Sequence, residues 1–318
     1  MNLKKLWRGA FAIGAAAVLS ACGGGQVDEF EPSRLLAFGD EMSIIVPADT
    51  TGAGGVALKK GSKYSVNFVD SDGALNCRTY PLWTQYVASG FGFTFEGCKS
   101  GTEEAKALVL ATANAKVADF EAQINGASAL TSKDLATVMV GTHDVKELYE
   151  RLRDGGGTVT RAQVIEEAQA RGKQWGELIN KLAKAGPRVV VSTIPDLGLS
   201  PYAKAEKAEA LLSELVKEYN LAMRLALIQD GRLIGLVFGE LETQEMVKYD
   251  GNYGLDNVTE AICADTAVLP NCSNKTLKSG IAEDKVDNYL WADSFRPGTE
   301  FHERMGDLAE YRAKNNPF

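Results

Sequence analysis

The sequence predicts an α/β protein in which a mostly parallel sheet is covered by helices on both faces. Short apolar runs recur along the chain, and each is followed by a longer stretch with apolar residues at helical spacing. Two of these runs stop directly before a glycine, where a buried strand can turn sharply towards the next helix. Strands that alternate with helices form βαβ units. We therefore expect one domain built as a three-layer α/β/α sandwich.

Composition and charge narrow the class of protein. The chain has 318 residues, of which 45% are hydrophobic and 24% charged, and its formal net charge is −8. It is long enough to bury a large core. Nucleic acid is not an expected partner, because binding its phosphates needs a basic face. The sequence has no Walker-type phosphate loop, dinucleotide fingerprint or zinc-spaced Cys/His cluster, so no cofactor is expected.

The strands of the sheet are predicted from runs that are mainly apolar, as is typical of strands covered on both faces. They span residues 34–38, 135–140, 188–193 and 233–238. Residues 64–69 alternate between polar and apolar side chains and predict a small additional strand.

The helices are predicted from apolar residues at helical spacing. They span residues 80–89, 102–124, 144–153, 160–185, 201–229, 241–249 and 300–314. Thr160 is the expected cap of the fourth helix, and Gly186-Pro187 ends it. Residues 252–287, which contain two cysteines, are predicted to form a loop region.

The first residues are predicted to be an export signal. Basic residues precede an apolar run over residues 11–19, which is too short to span a bilayer as a permanent helix. The run ends in Leu19-Ser20-Ala21-Cys22, which resembles the cleavage site of a bacterial lipoprotein signal peptide. An ordinary secretory signal with a chance cysteine is the alternative.

The resemblance to lipoproteins implies how the chain is divided and where in the cell the protein is located. Residues 1–21 would be the signal peptide, residues 22–33 a flexible tether with lipid on Cys22, and residues 34–318 the folded domain. Cys22 would then hold the protein on a membrane. Gly23, and not an aspartate, follows Cys22. By resemblance to Gram-negative lipoproteins, this implies the outer membrane, at its periplasmic face or at the cell surface.

Four cysteines remain in the domain. An even number of cysteines in an exported chain predicts disulfides. We expect the pairs Cys77–Cys98 and Cys263–Cys272, because each closes a short loop. Free buried thiols are the alternative.

Several short motifs follow the predicted strands. They are Phe38-Gly39-Asp40-Glu41-Met42-Ser43, Gly97-Cys98-Lys99-Ser100-Gly101, Gly141-Thr142-His143-Asp144, residues 194–201, residues 253–259 and Trp291-Ala292-Asp293-Ser294-Phe295-Arg296-Pro297. Their order and spacing, over residues 33–308, resemble the GDSL/SGNH hydrolase family of esterases and lipases. The resemblance implies a flavodoxin-like α/β/α fold and ester hydrolysis in a cleft at the carboxyl ends of the strands.

The resemblance also assigns roles to particular positions. It places Glu41 at the nucleophilic serine, Arg296 at the catalytic histidine and Asp293 at the carboxylate of the triad. His143 stands at the asparagine of the oxyanion hole, and Gly101 at its glycine. Glu41 has no hydroxyl to attack with, and the guanidinium of Arg296 stays protonated and cannot act as a base. Two of the three triad roles are therefore vacant.

The replacements suggest a structural substitute for the missing hydrogen bond. We expect Glu41 and Arg296 to form an ion pair, with Asp293 as a second partner of Arg296. The alternative is that both side chains point into solvent. Two further alternatives are catalysis by Ser43 with His302, and a metal site formed by a group of acidic residues and a histidine. That group is Asp40, Glu41, Asp144, Asp293 and His143.

The leading functional hypothesis is a non-catalytic member of this family. It would be an outer-membrane lipoprotein whose cleft binds an acylated or acetylated glycan, a lipid or a protein. An active ester hydrolase with rearranged catalytic residues and a mainly structural envelope lipoprotein are the alternatives.

Overall fold

The computed structural model describes residues 30–52 and 55–318. The predicted signal peptide over residues 1–21, Cys22 and most of the predicted tether lie outside the described residues. Among the helices of the described part, none is both long and apolar enough to cross a membrane.

A five-stranded parallel sheet forms the centre of the fold; across the sheet, its strands are residues 107–109, 34–39, 134–139, 188–192 and 234–237. Its inner strands are almost completely buried, which explains their continuous apolar character. The strands of the described chain are β1 Arg34–Gly39, β2 Thr50–Thr51, β3 Ala57–Leu58, β4 Phe68–Val69, β5 Leu75–Asn76, β6 Ala107–Val109, β7 Asp134–Met139, β8 Arg188–Ser192, β9 Ile234–Val237, β10 Asn257–Ala261 and β11 Tyr289–Trp291.

Helices cover both faces of the sheet, which confirms the predicted α/β/α sandwich. The helices of the described chain are α1 Trp83–Gly90, α2 Val117–Gly126, α3 Thr142–Asp154, α4 Arg161–Lys184, α5 Pro201–Glu206, α6 Glu209–Ala226, α7 Gly239–Lys248 and α8 Thr299–Asn315. One layer contains α1, α7 and α8, and the other contains α2, α3, α4 and α6. Thr160 caps α4 as predicted, because its hydroxyl accepts a hydrogen bond from the backbone N–H of Gln163.

The helix predicted over residues 102–124 was wrong. Its first half instead contributes β6, whose Ala107 pairs with Leu35 of β1, and only residues 117–126 are helical. The frequent alanines and glutamates of this stretch favour a helix, but pairing with a buried strand overrides that weak preference. The sheet therefore has five strands where four were predicted.

Three smaller predictions also need correction. The helix predicted over residues 201–229 is two helices, α5 and α6, because Lys207 adopts a left-handed conformation (φ 54°) and ends the first. The strand predicted over residues 64–69 is limited to Phe68–Val69. The region 252–287, predicted as loop, contains β10, which pairs with β11.

Both predicted disulfides are present. Cys77 and Cys98 have their Cα atoms 5.2 Å apart, and Cys263 and Cys272 have theirs 5.8 Å apart. The second disulfide lies in a small apolar cluster beside the sheet, together with Val66, Ile262, Leu269 and others. This cluster supports β10, β11 and the loop that carries Asp293 and Arg296.

Lys63 is a fully buried cation in this part of the molecule. Its ammonium donates to the carbonyl oxygens of Cys77 (3.0 Å) and Thr79 (2.6 Å), and it has no acidic partner among the described residues. Burial lowers the pKa of Lys63 to about 7, because the charged form is poorly solvated.

The buried lysine predicts a stability that depends on pH. From about pH 7 up to the ordinary pKa near 10.5, the unfolded state holds a proton that the folded state has lost. The free energy of unfolding should therefore rise through that window, by up to about 1.4 kcal/mol per pH unit from this group. Below pH 7, Lys63 is protonated in both the folded and the unfolded state, so its destabilising effect does not change with pH. Urea unfolding of the wild type and of Lys63→Met from pH 6 to 9 measures the difference.

The exposed neighbour Lys60 provides a matched control. A Lys60→Met variant should keep the wild-type dependence on pH, whereas Lys63→Met should lose the rise. Parallel profiles for all three proteins would mean that Lys63 keeps its charge throughout this range.

Candidate functional site

The end of β1 places an acidic turn at the carboxyl edge of the sheet. Gly39 has φ +115°, and a Cβ there would lie 1.9 Å from the carbonyl oxygen of Met139, so only glycine fits. A single 3-10 turn, Glu41–Ser43, follows. Asp40 caps this turn, because its carboxylate accepts a hydrogen bond from the backbone N–H of Met42 at 3.1 Å. The turn directs Glu41 into the interior, where its side chain is 2% exposed.

Both carboxylate oxygens of Glu41 are engaged. Oε1 accepts from Arg296 Nε at 2.6 Å and from His143 Nε2 at 2.8 Å. Oε2 accepts from the backbone N–H of Asn114 at 2.9 Å and from the same nitrogen of His143 at 2.9 Å. Burial raises the pKa of Glu41, but the His143 hydrogen bond and the Arg296 charge outweigh burial and lower that pKa to about 2. Glu41 is therefore a fixed anion.

Arg296 completes the ion pair that the sequence predicted. Its Nη1 also donates to Asp293 Oδ2 at 2.5 Å, and its backbone N–H donates to Asp293 Oδ1 at 2.7 Å. The loop holding both residues is tied down by the hydrogen bond from Ala292 N to Arg296 O. The guanidinium lies 4.3 Å above the ring of Phe295, a cation–π contact that further fixes its position.

His143 enters the site from the first turn of α3. Gly141 precedes it with φ +133°, and a Cβ at Gly141 would meet the ring of Tyr219 at 2.3 Å. Burial lowers the pKa of His143, but its hydrogen bond to Glu41 and the charge of that carboxylate raise the pKa above its ordinary value overall. The contact with Glu41 therefore favours the protonated, cationic form of His143.

The prediction for Gly101 was wrong. Gly101 is exposed and precedes β6, so it lies towards the amino-terminal edge of the parallel sheet, away from Glu41. The residue that follows β6 and reaches Glu41 is Asn114, in a left-handed conformation with φ 61°. The sequence analysis missed it because residues 102–124 were interpreted as one helix.

Asp40 is a second buried carboxyl group with a different environment. Its Oδ2 is buried and makes no hydrogen bond within the described chain. Burial and the neighbouring charge of Glu41 raise the pKa of Asp40 to about 7. Asp40 therefore caps its turn largely as a neutral acid below that pH, while Glu41 carries the charge.

The alternative catalytic pair is not assembled. Ser43 and His302 are both fully buried, and neither Ser43 Oγ nor His302 Nε2 has a hydrogen-bond partner in the part of the chain that the structure describes. His302 Nδ1 accepts from Trp83 N at 3.5 Å. Burial and the charge of Lys63 lower the pKa of His302 to about 3. Ser43 and His302 therefore belong to the core.

The alternative metal site is not assembled either. Asp144 turns away from Glu41, accepting hydrogen bonds from the backbone N–H of Val117 and from Arg171. Arg296 occupies the space between Glu41 and Asp293. Within residues 30–52 and 55–318, no group of three His, Cys, Asp or Glu side chains is placed to hold a metal ion.

Most of the chain matches a known family. The sequence model of the GDSL-like lipase/acylhydrolase family matches residues 37–309. The chain belongs to this family. The match runs from within β1 to within α8 and includes the Glu41 turn, the start of α3 and the loop with Asp293 and Arg296.

Solved structures with detectable similarity include three esterases or lipases. The lipase Lip_vut3 from a goat rumen metagenome is 12% identical over 90% of this chain and 99% of that chain, with a TM-score of 0.47. The acetylxylan esterase Axe2 of Geobacillus stearothermophilus is 12% identical over 90% and 96%, with a TM-score of 0.42. The aryl esterase of M. smegmatis is 15% identical over 87% and 97%, with a TM-score of 0.37. Comparison with the curated protein sequences finds no match.

Beside the charged network, this GDSL-like domain has an open cavity of about 510 Å³. Asp293 and Ser294 form one wall, and the loop closed by the Cys263–Cys272 disulfide forms another. Small apolar residues, including Ala261, line the cavity together with carboxylates and hydroxyls at its rim. The cavity shares Asp293 with the Glu41–Arg296 network, so an occupant would lie next to the residues singled out by the sequence.

Proposed function

We propose that this GDSL-like protein is an outer-membrane lipoprotein that binds an acylated glycan without hydrolysing it. The observation that carries the proposal is the state of Glu41. Glu41 stands at the position that the resemblance assigns to the nucleophilic serine, and its carboxylate accepts hydrogen bonds from Arg296, His143 and Asn114 N–H. These hydrogen-bond donors are therefore already occupied by the Glu41 carboxylate and are not free to bind an oxyanion of a substrate.

The surrounding groups offer no replacement for the missing chemistry. Arg296 remains protonated at any relevant pH and cannot take a proton from a nucleophile. Within residues 30–52 and 55–318, neither His143 nor His302 is hydrogen-bonded to a serine or threonine hydroxyl; His143 faces Glu41, and His302 is buried beside Trp83. Serine-type acyl transfer needs that hydroxyl–imidazole contact. These contacts support the loss of hydrolysis over rearranged catalysis.

The cavity beside Asp293 supports an acylated glycan as the ligand. Glu260, Asp265 and Ser294 supply acceptors at its rim that suit sugar hydroxyls, whereas Ala261 and Leu269 supply apolar surface that suits an acyl group. A bare lipid would match only the apolar part of this lining.

Export and lipidation are part of the same proposal. They are supported by the basic residues, the apolar run over residues 11–19 and the sequence that ends in Cys22. Mass spectrometry of the protein recovered from membranes tests them directly. An N-terminal residue other than acylated Cys22 would remove the lipoprotein part of the proposal and leave the cavity argument intact.

Binding without turnover is the central expected result. The purified protein should leave short-chain aryl esters intact and should bind partially O-acetylated oligosaccharides more tightly than the same material after deacetylation, as measured by calorimetry. Ala264→Trp, which fills the cavity, should weaken this binding by about tenfold or more. Ala210→Trp, on the exposed face of α6, is the matched control.

The other outcomes favour the alternatives. Turnover of esters at ordinary esterase rates would establish a working hydrolase. Equal affinity for acetylated and deacetylated oligosaccharides, or an affinity that Ala264→Trp does not change, would mean that the ligand binds outside this cavity. Absence of both binding and turnover would favour a structural envelope protein.

A further inference from the structure

Exposed apolar side chains cluster on the side of the domain formed by α7, α8 and the edge strand β9. Leu241 is 49% exposed, Leu308 36% and Tyr311 62%, and all three line one groove of about 300 Å³. The other large exposed apolar residues of the described chain, such as Leu225 at 77%, do not line this groove. We call Leu241, Leu308 and Tyr311 the apolar patch.

The described chain begins beside this patch. The ring of Phe30 packs edge-on against Phe318, with ring centroids 5.6 Å apart. Phe318 in turn lies against Gly235 of β9, where a Cβ would be 3.4 Å from the Phe318 ring. Gly235 is followed by Leu236, which lines the groove. The patch and the point at which the N-terminal segment joins the domain are therefore neighbours.

The length of the N-terminal segment limits how the domain can be oriented. Between Cys22 and Phe30 the chain can reach at most about 28 Å when fully extended. A domain of this size is about 50 Å across. A lipid on Cys22 would therefore keep the Phe30 side of the domain near the bilayer and would not allow its opposite face to reach the surface.

We infer that the apolar patch rests on the phospholipid bilayer when the protein is anchored at Cys22, an inference that depends on the lipidation proposed above. Leucine and tyrosine side chains suit the boundary between headgroups and acyl chains. The patch is small, and without the anchor it would bind membranes weakly, because one short apolar contact must offset the loss of free motion. With the anchor, its local concentration at the surface is high.

The charges around the groove define the kind of membrane contact. Glu242, Glu245 and Arg312 line it, and they do not form a basic cluster. Attraction to anionic lipid is therefore not expected, and contact should persist on zwitterionic vesicles and at high salt. Membrane binding driven by basic residues would show the opposite dependence.

Fluorescence quenching tests this orientation. The lipidated protein, carrying Tyr311→Trp, is reconstituted into vesicles of phosphatidylcholine and phosphatidylethanolamine with brominated acyl chains. Tryptophan emission from position 311 should fall by about half relative to vesicles without bromine. Leu225→Trp is the matched control, because Leu225 is more exposed but lies on α6, in the opposite helix layer. Its emission should be nearly unchanged. The mature chain's other tryptophans, Trp83, Trp175 and Trp291, are fully buried and common to both variants.

A second attachment separates this inference from lipidation. In a second form of the protein, a polyhistidine segment replaces residues 1–22 and binds vesicles that contain nickel-chelating lipid. This form lacks Cys22, so its attachment does not depend on lipidation. Selective quenching at position 311 in this form would support the orientation even if lipidation failed. Equal quenching at both positions, or none at 311, would overturn it. Protection of position 311 from acrylamide without vesicles, growing with protein concentration, would also overturn it, because a second copy would then cover the patch.

Discussion

A Glu41→Ser/Arg296→His variant is expected to hydrolyse short-chain aryl esters at least about 100-fold faster than the natural protein. Serine would supply the missing hydroxyl and would free the donors that now hold the Glu41 carboxylate, Asn114 N–H and His143. Asp293, which now binds Arg296, would be placed to hold the new imidazole. Initial rates of aryl acetate cleavage measure the gain. Adding His143→Asn, which restores an uncharged amide donor, should raise the rate further.

The single variants are the controls for this gain. Glu41→Ser alone has a hydroxyl without a base, and Arg296→His alone has a base without a nucleophile, so neither should exceed the natural protein. Triad members act as a unit, and the double variant should therefore far exceed the product of the single effects. A folded double variant as inactive as the natural protein would mean that these positions do not correspond to the catalytic serine and histidine of the family.

Glu41→Ala is expected to lower the free energy of unfolding by about 3–5 kcal/mol. The substitution leaves Arg296, whose side chain is 15% exposed, and His143, at 12%, without their shared anion. Urea unfolding at pH 7 measures the loss. Because the folded-state pKa of Glu41 is lowered to about 2 from an ordinary 4.5, its contribution is present above pH 4.5 and disappears as the pH falls towards 2. The difference between the two proteins should shrink over that range.

Two further variants identify the cause of that loss. Glu214→Ala removes a carboxylate paired with Arg161, whose side chain is 61% exposed, and should change stability very little. Glu41→Ala/Arg296→Met removes the buried cation, which in Glu41→Ala keeps only Asp293 as a carboxylate partner, and should recover part of the lost stability. If the double variant were less stable than Glu41→Ala by the full cost of a second truncation, the two residues would be contributing independently.

The sequence was sufficient for features that lie on strand ends. The apolar run before Gly39 and the one before Gly141 each indicated a buried strand, and parallel strands bring their carboxyl ends to one edge. The resemblance to the hydrolase family placed Glu41 and Arg296 at facing positions, and their opposite charges then predicted the ion pair. The pairs Cys77–Cys98 and Cys263–Cys272 followed from short loops.

The sequence was not sufficient where the backbone supplies the chemistry. Asn114 reaches Glu41 through its N–H, a group that every residue except proline has, so no side chain marks the position. The short edge strand β6 has only three residues, fewer than a periodic pattern needs to be visible. The misplacement of the helix over residues 102–124 and the wrong choice of Gly101 have this common origin.

The mutual neutralisation of Glu41 and Arg296 also bears on how this lineage can change over evolutionary time. Glu41→Ser alone would leave the buried guanidinium of Arg296 without its Glu41 partner. Arg296→His alone would leave the Glu41 carboxylate without the guanidinium that it now binds. On the proposed function, each single substitution towards a working triad would therefore give a less stable and still inactive intermediate, which selection would tend to remove. Recovery of hydrolysis would then need both changes together, and descendants of this chain should diversify in the ligand that they bind more readily than they become hydrolases.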